Sequence, residues 1–175
     1  MRRHFLSSVT RISDLSKKKY DCRHIPRAEW ANGDYVAGQV VGKSNALYSV
    51  ELCSGRIAPV LEGDVIIGSL GRREATLEGV GTWESVGDDG KFHALTPAGL
   101  FGKLSSQSHL FPDLMRMNYK GHVFRDKKIC MKDFITHTNA SKLNIPVIMI
   151  IGTSMSSGKT TSGRIIVHEL KQMGY

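Results

Sequence analysis

Short apolar runs separated by turn residues dominate the chain between residues 30 and 135. Runs that are rich in Val, Ile, Tyr and Leu and bounded mostly by glycine are typical of β-strands. The pattern predicts strands over the ranges 35–41, 46–52, 65–70, 75–80 and 98–104, and a hairpin over 122–134 around the polar tip 125–128. A spacing of about ten residues between strands is typical of a small β-barrel or sandwich.

The pattern changes towards the carboxyl end. Residues 136–145 are polar, which predicts a linker. The run 147–151 is apolar throughout, which predicts a central parallel strand covered by helices on both faces. Ile166, Leu170 and Met173 then recur at helical spacing, so we expect an amphipathic helix after the strand.

The string GTSMSSGKTT lies between the predicted strand and the predicted helix. That context is the one a phosphate-binding loop requires. Such a loop turns several backbone amides towards one anion, and the helix behind it adds the positive end of its dipole. Gly158 is expected to permit close approach of the main chain and to remove a clash. The predicted binding residues are Gly152, Thr153, Ser154, Met155, Ser156, Ser157, Gly158, Lys159, Thr160 and Thr161.

Three side chains of the loop have predicted chemical roles. Lys159, the predicted catalytic residue, supplies a positive charge that reaches the β- and γ-phosphates. The Thr160 hydroxyl is the predicted metal ligand, because it can bind a Mg²⁺ ion that bridges those phosphates. Thr161 can donate its hydroxyl to the α-phosphate. The predicted cofactors are therefore ATP and Mg²⁺.

The loop resembles that of the dethiobiotin synthetase-like branch of P-loop proteins, where the motif reads GT, then D, three variable residues and GKT. Five residues match: Gly152, Thr153, Gly158, Lys159 and Thr160. Ser154 stands where that family has an aspartate, so the role of that acid does not carry over. The resemblance covers residues 146–175 and implies ATP- and Mg²⁺-dependent ligase, kinase or cofactor-biosynthesis chemistry. We recognise no family for the region before it.

Together these patterns predict an α+β chain of two parts. A β-barrel or sandwich over 30–135 follows a basic arm or short helix over 1–29, and residues 146–175 form the first strand–loop–helix unit of a P-loop α/β fold. A P-loop domain needs further strands and an acid at the end of a later one, whereas Asp126 and Asp133 lie upstream. We therefore expect the amino-terminal part of a longer ATP-dependent enzyme, or a truncated product, that is inactive in isolation.

Composition and charge leave one alternative function open. The 41% hydrophobic and 23% charged residues exclude a disordered tail, a collagen repeat and a disulfide-rich mini-protein. No run approaches the roughly 18 apolar residues of a membrane helix, so no membrane partner is expected. The net charge of +8 suits phosphate ligands but also nucleic acid. The alternative is thus a basic β-barrel that binds nucleic acid, with the basic runs Lys17–Lys19 and Arg125–Lys128 on its surface and Tyr35, Trp83 and Phe92 stacking on bases.

The remaining candidate groups add less. Three widely spaced cysteines predict reduced thiols and a cytoplasmic protein, and the seven histidines show no metal-ligand spacing. Arg56, Arg72 and Arg73 could form an anion pocket, although a solvated turn with ordinary ion pairs is the simpler interpretation. The expected partners are a nucleotide, a small-molecule substrate of unknown identity, and a second copy of the chain as a possible homo-oligomer.

Overall fold

The structure, a computed structural model, is mostly β-sheet. It describes residues 3–42, 48–74, 76, 78–136, 144–154 and 156–175, and it divides the chain into two compact units, Met1–Thr136 and His137–Tyr175. The strands are β1 (His4–Leu6), β2 (Asp21–Arg23), β3 (Tyr35–Val40), β4 (Ser49–Glu51), β5 (Ile57–Pro59), β6 (Val65–Leu70), β7 (Arg72–Arg73), β8 (Gly79–Thr82), β9 (Lys91–Ala94), β10 (Leu100–Gln107) and β11 (Arg116–Phe124).

Five strands of the first unit close into a ring. β3 pairs antiparallel with β6 and β11, β9 pairs antiparallel with β11 and β10, and β10 pairs parallel with β6. β1 and β2 extend the edges of β6 and β11, β8 and β7 follow β10, and β4 forms a separate ribbon with β5. The β-rich prediction for this region is therefore confirmed, and the pairings make it a barrel.

Both faces of β3 and β6 are covered, which explains why these strands are apolar almost throughout. Successive side chains of a strand point to opposite faces. Val36 and Ile66 accordingly pack in the larger buried cluster together with Phe92, while Tyr35 and Ile67 pack in a second cluster on the other face. The two central strands thus hold the two halves of the core together.

A glycine lets β6 and β10 approach closely. A Cβ built at Gly68 would overlap the carbonyl oxygen of Gly99 and the ring of Phe101. Gly99 itself lies at φ +92°, a conformation that favours glycine. The parallel pairing that closes the ring therefore depends on these two positions.

Several expectations for the first unit need correction. Residues 1–29, expected as an arm or a short helix, contribute β1, β2 and two 3-10 turns, Ser8–Thr10 and Arg27–Glu29. The predicted hairpin over 122–134 has only its first strand, because the chain beyond Phe124 turns back for a few residues and then forms the 3-10 turn Met131–Phe134. Further 3-10 turns include Trp83–Ser85.

The predicted fold class is wrong for the carboxyl-terminal unit. The run 147–151 forms no strand, and Met149 and Ile151 are 80% and 81% exposed. A strand exists through pairing with a neighbour, and no other described residue of this unit forms one. The unit has one helix in its described part, α1 (Lys159–Gln172), so a P-loop α/β unit is not observed. Most of the predicted linker, residues 137–143, lies outside the described residues.

The apolar face that the sequence predicts for helix α1 is only partly buried. Ile166 and Leu170 are half-buried, whereas Met173 is exposed. A Cβ at Gly163 would lie 3.3 Å from Ile150 Cδ1, so this glycine allows close packing on the apolar run. Within the described ranges, no helix is both long and apolar enough to cross a membrane.

Candidate functional site

Helix α1 begins without a capping side chain. Its N-cap, Gly158, lies at φ +84°, and the described residues contribute neither a side-chain cap nor an acid in the first turn. The first intrahelical bond runs from the Ser162 amide to the Gly158 carbonyl oxygen at 2.9 Å. The amides before it have no intrahelical acceptor, and the helix dipole adds positive potential there. This end of α1 therefore favours an anion.

The ammonium group of Lys159 folds back over the loop that precedes the helix. Its Nζ donates to the Ser154 carbonyl oxygen at 2.5 Å and to Ser157 Oγ at 3.0 Å. An ammonium group has three donors, so one remains for a ligand. The loop thus holds a positive charge beside the uncapped helix terminus.

Two glycines shape this loop in different ways. A Cβ at Gly152 would overlap Ser157 Oγ and lie 3.0 Å from Lys159 Cγ, so the close approach occurs at this position. Nothing lies within 4 Å of a Cβ built at Gly158. The positive φ of Gly158 is what favours glycine there, and the expected close approach of a bound phosphate to this position stays a prediction.

One hollow of about 480 Å³ collects most of the predicted binding residues. Six consecutive residues line it: Ser156, Ser157, Gly158, Lys159, Thr160 and Thr161. Ser154 supports the hollow through the bond of its carbonyl oxygen to Lys159, and the missing Cβ at Gly152 leaves room for the Lys159 side chain. Thr153 does not line it, and Met155 lies outside the described residues.

The donors around the hollow fit phosphate better than a metal. Backbone amides, an ammonium group and the exposed Thr160 and Thr161 hydroxyls all donate hydrogen bonds to anionic oxygens. In the part of the chain that the structure describes, no group of three His, Cys, Asp or Glu residues could hold a metal ion. A Mg²⁺ ion at Thr160 would thus take its other ligands from phosphate and water, as Mg²⁺ commonly does.

A second polar cluster lies buried in the first unit, and no local pattern of the sequence predicts it. His122 is fully buried, and its Nδ1 lies 2.5 Å from the Tyr119 hydroxyl. Its Nε2 lies 3.3 Å from Asp34 Oδ2, but the two groups are not aligned for a hydrogen bond. The same Oδ2 accepts from Lys128 Nζ and from the Ala31 amide, each at 2.7 Å. The cluster joins the segment before β3 to β11 and to the turn that follows it.

The pKa shifts in this cluster follow from burial and from its charges. Burial lowers the pKa of His122, against the raising effect of Asp34. Burial acts to raise the pKa of Asp34, but its contacts with His122, Lys128 and the Ala31 amide outweigh this and hold the pKa below its usual value. A neutral imidazole therefore stands beside an ionised carboxylate at neutral pH, and its Nδ1 shares a hydrogen bond with the Tyr119 hydroxyl. We assign this cluster a structural role.

The residues that suggested nucleic-acid binding are mostly occupied within the first unit. Tyr35 and Phe92 are buried, so their rings cannot stack on bases. Arg125 and Lys18 pair with Asp14, while Lys127 pairs with Asp133. This surface therefore offers fewer unpaired cations than the net charge suggests.

Searches against family models, curated proteins and solved structures found no match for this chain. The chemistry of the loop before α1 must therefore be inferred from its own residues. Those residues bring together an uncapped helix terminus, an ammonium group and four hydroxyl side chains around one hollow.

Proposed function

We propose that residues 152–161 bind the phosphates of a nucleoside triphosphate, with ATP as the expected nucleotide. The observation that carries this proposal is the hollow at the start of α1, where Lys159, Thr160 and the first-turn amides meet. These groups donate hydrogen bonds or carry positive charge, and a polyphosphate supplies anionic acceptors that complement them. The match of five residues to the GT…GKT motif supports a nucleotide over a simple anion.

Lys159 has the central role in this proposal. When phosphate enters, the third Nζ donor binds a phosphate oxygen, while the bonds to the Ser154 carbonyl oxygen and Ser157 Oγ hold the ammonium group in place. Mg²⁺, bound through Thr160 and the phosphates, would supply further charge neutralisation. We infer that binding serves phosphoryl transfer or ATP-dependent ligation of a small molecule. The unpaired thiols Cys22, Cys53 and Cys130 suit a cytoplasmic location.

A matched pair of lysine substitutions tests the proposal on the full chain. Lys159→Met removes the ammonium group at the hollow, and Lys171→Met removes one from the last turn of the same helix. Calorimetric titration with ATP and Mg²⁺, and with pyrophosphate alone, should show about a ten- to hundredfold loss of affinity for Lys159→Met, because a hydrogen bond to a charged group is worth about 1.5–3 kcal/mol. Lys171→Met should bind as the wild type does.

Two outcomes would contradict this function. Equal affinity of Lys159→Met and the wild type would remove the lysine from the site, and equal losses in both variants would reduce the effect to net charge. Far-ultraviolet circular dichroism of both variants shows whether α1 is intact, so a loss of helix can be separated from a loss of binding.

A further inference from the structure

A cavity of about 240 Å³ lies in the first unit, between β4, the 94–97 turn and the loop that follows β10. Its walls are mostly apolar and include Leu95, Pro97, Phe111, Leu114 and Met115. At about 30 Å³ per water molecule, the space equals about eight waters, which is room for a small ring or a branched chain. An apolar cavity with a few convergent polar groups is the usual form of a small-molecule site.

The guanidinium group of Arg73 forms part of this cavity and is incompletely paired. The side chain is only 11% exposed. Its Nη1 donates to the Leu95 carbonyl oxygen at 2.5 Å, and its Nη2 pairs with Glu78. Its Nε is buried and has no acceptor among the described residues. Because its side chain is largely buried, Arg73 is not the solvated turn residue that the sequence suggested. A buried donor without an acceptor is costly, so an acceptor supplied by a ligand would be favourable at Nε.

Glu78 is a poor permanent partner for this guanidinium. Its side chain is 51% exposed, and it reaches one nitrogen of Arg73. A carboxylate that approaches arginine side-on takes Nε and Nη2 together, which satisfies both donors. Glu78 can swing into water while another carboxylate takes this position.

We propose that this cavity binds a small apolar carboxylate, with the ligand's carboxylate replacing Glu78 on Arg73 and its hydrocarbon part filling the apolar walls. The ligand would satisfy the unpaired Nε and would remove apolar surface from water. Glu78 then acts as an internal competitor that keeps the guanidinium paired when the ligand is absent. This site is independent of the phosphate-binding loop, because all of its residues belong to the first unit.

Glu78→Gln separates this role from a simple structural ion pair. In the full chain, nuclear magnetic resonance titrations would use phenylacetate and 4-methylpentanoate, with phenylacetamide as the uncharged match. Removal of a tethered competitor should raise the affinity for both carboxylates by up to about fivefold, the factor that corresponds to about 1 kcal/mol for an ion pair with a half-exposed partner. The control Glu84→Gln removes a carboxylate that pairs with Arg72 and does not line the cavity, so it should leave the affinity unchanged.

Each outcome of this titration decides the matter. Tighter binding of the carboxylates to Glu78→Gln, with weak or no binding of the amide, supports the proposal. Unchanged or weaker carboxylate binding in that variant, equal binding of the amide, or no binding at all overturns it. Arg73→Gln should abolish binding, but the Glu78 variant decides the question even where the loss of a buried arginine prevents folding.

Discussion

Replacing Asp34 tests the buried cluster behind β3. One carboxylate oxygen of Asp34 receives the Lys128 ammonium and the Ala31 amide and lies close to His122. Asp34→Asn keeps an oxygen acceptor in place but removes the charge, and Asp34→Ala removes the acceptor altogether. The two variants therefore separate the contribution of charge from that of hydrogen bonding.

The expected cost follows from the number and exposure of these contacts. A hydrogen bond to a charged group exceeds a neutral one by about 1 kcal/mol, so the two hydrogen bonds from Lys128 and Ala31 predict a loss of about 2 kcal/mol for Asp34→Asn, and the misaligned His122 contact adds at most about 1 kcal/mol. Removing one member of a buried ion pair costs about 3–5 kcal/mol. The Lys128 side chain is 28% exposed and can turn to water. We therefore expect the lower end of each range, a loss in the free energy of unfolding of about 2 kcal/mol for Asp34→Asn and about 3 kcal/mol for Asp34→Ala.

Urea unfolding followed by tryptophan fluorescence measures this cost in the first unit alone. Both tryptophans, Trp30 and Trp83, belong to that unit, and the Trp30 ring lies 5.2 Å from the His122 ring. The variants should unfold at lower urea concentration with an unchanged slope. A loss below about 0.5 kcal/mol for Asp34→Ala at pH 7, the size of an ordinary surface substitution, would refute the assignment.

Acid provides a second check on the same variant. The folded-state pKa of Asp34 lies below its usual value, so its charge stabilises the folded state above about pH 3.9, the pKa of an unfolded aspartate. That contribution is lost as the pH falls through the lower, folded-state pKa. The difference between Asp34→Asn and the wild type should therefore shrink at low pH, and a constant difference would speak against a charge effect.

Two further substitutions test the packing and the electrostatics of the barrel. Gly68→Ala should lower the free energy of unfolding in urea by about 1–3 kcal/mol, because the new Cβ would overlap the Phe101 ring. The control Gly87→Ala, whose Cβ would make only an ordinary contact, should leave the stability nearly unchanged. Equal losses in the two variants would contradict the close approach at Gly68. Lys128→Met should raise the pKa of His122 in a nuclear magnetic resonance titration, because the ammonium group lowers that pKa, and an unchanged or lower pKa would count against the cluster.

The barrel could be predicted where a strand carries its own signal. β3 and β6 are apolar on both faces, and the predicted ranges 35–41 and 65–70 match them closely. β9 was missed because its four residues, KFHA, become a strand only through pairing with β10 and β11. Short strands of this kind are fixed by partners that are distant in sequence.

The candidate sites show the same limit. The helical spacing around Ile166 and Leu170 predicts α1. The apolar run 147–151 also predicts a buried strand, but a strand forms only with a partner, and a run of residues does not show whether a partner exists. Asp34 and His122 lie far apart in the sequence, so no local spacing reveals that they meet. A local loop can thus be predicted from consecutive residues, whereas residues that only the fold brings together cannot.

The order of pairing around the ring has a consequence for how the first unit folds. β3 pairs with β11 through Val36–His122 and Val40–Met117. Because β11 lies about 80 residues further along the chain, it is synthesised long after β3. Contacts this distant in sequence slow folding, commonly to milliseconds or longer. At about 5–20 residues per second, the nascent chain carries an incomplete ring for several seconds during synthesis. During that time the unpaired edge of β3 is open to other chains, and expression at low temperature or with a chaperone should raise the soluble yield.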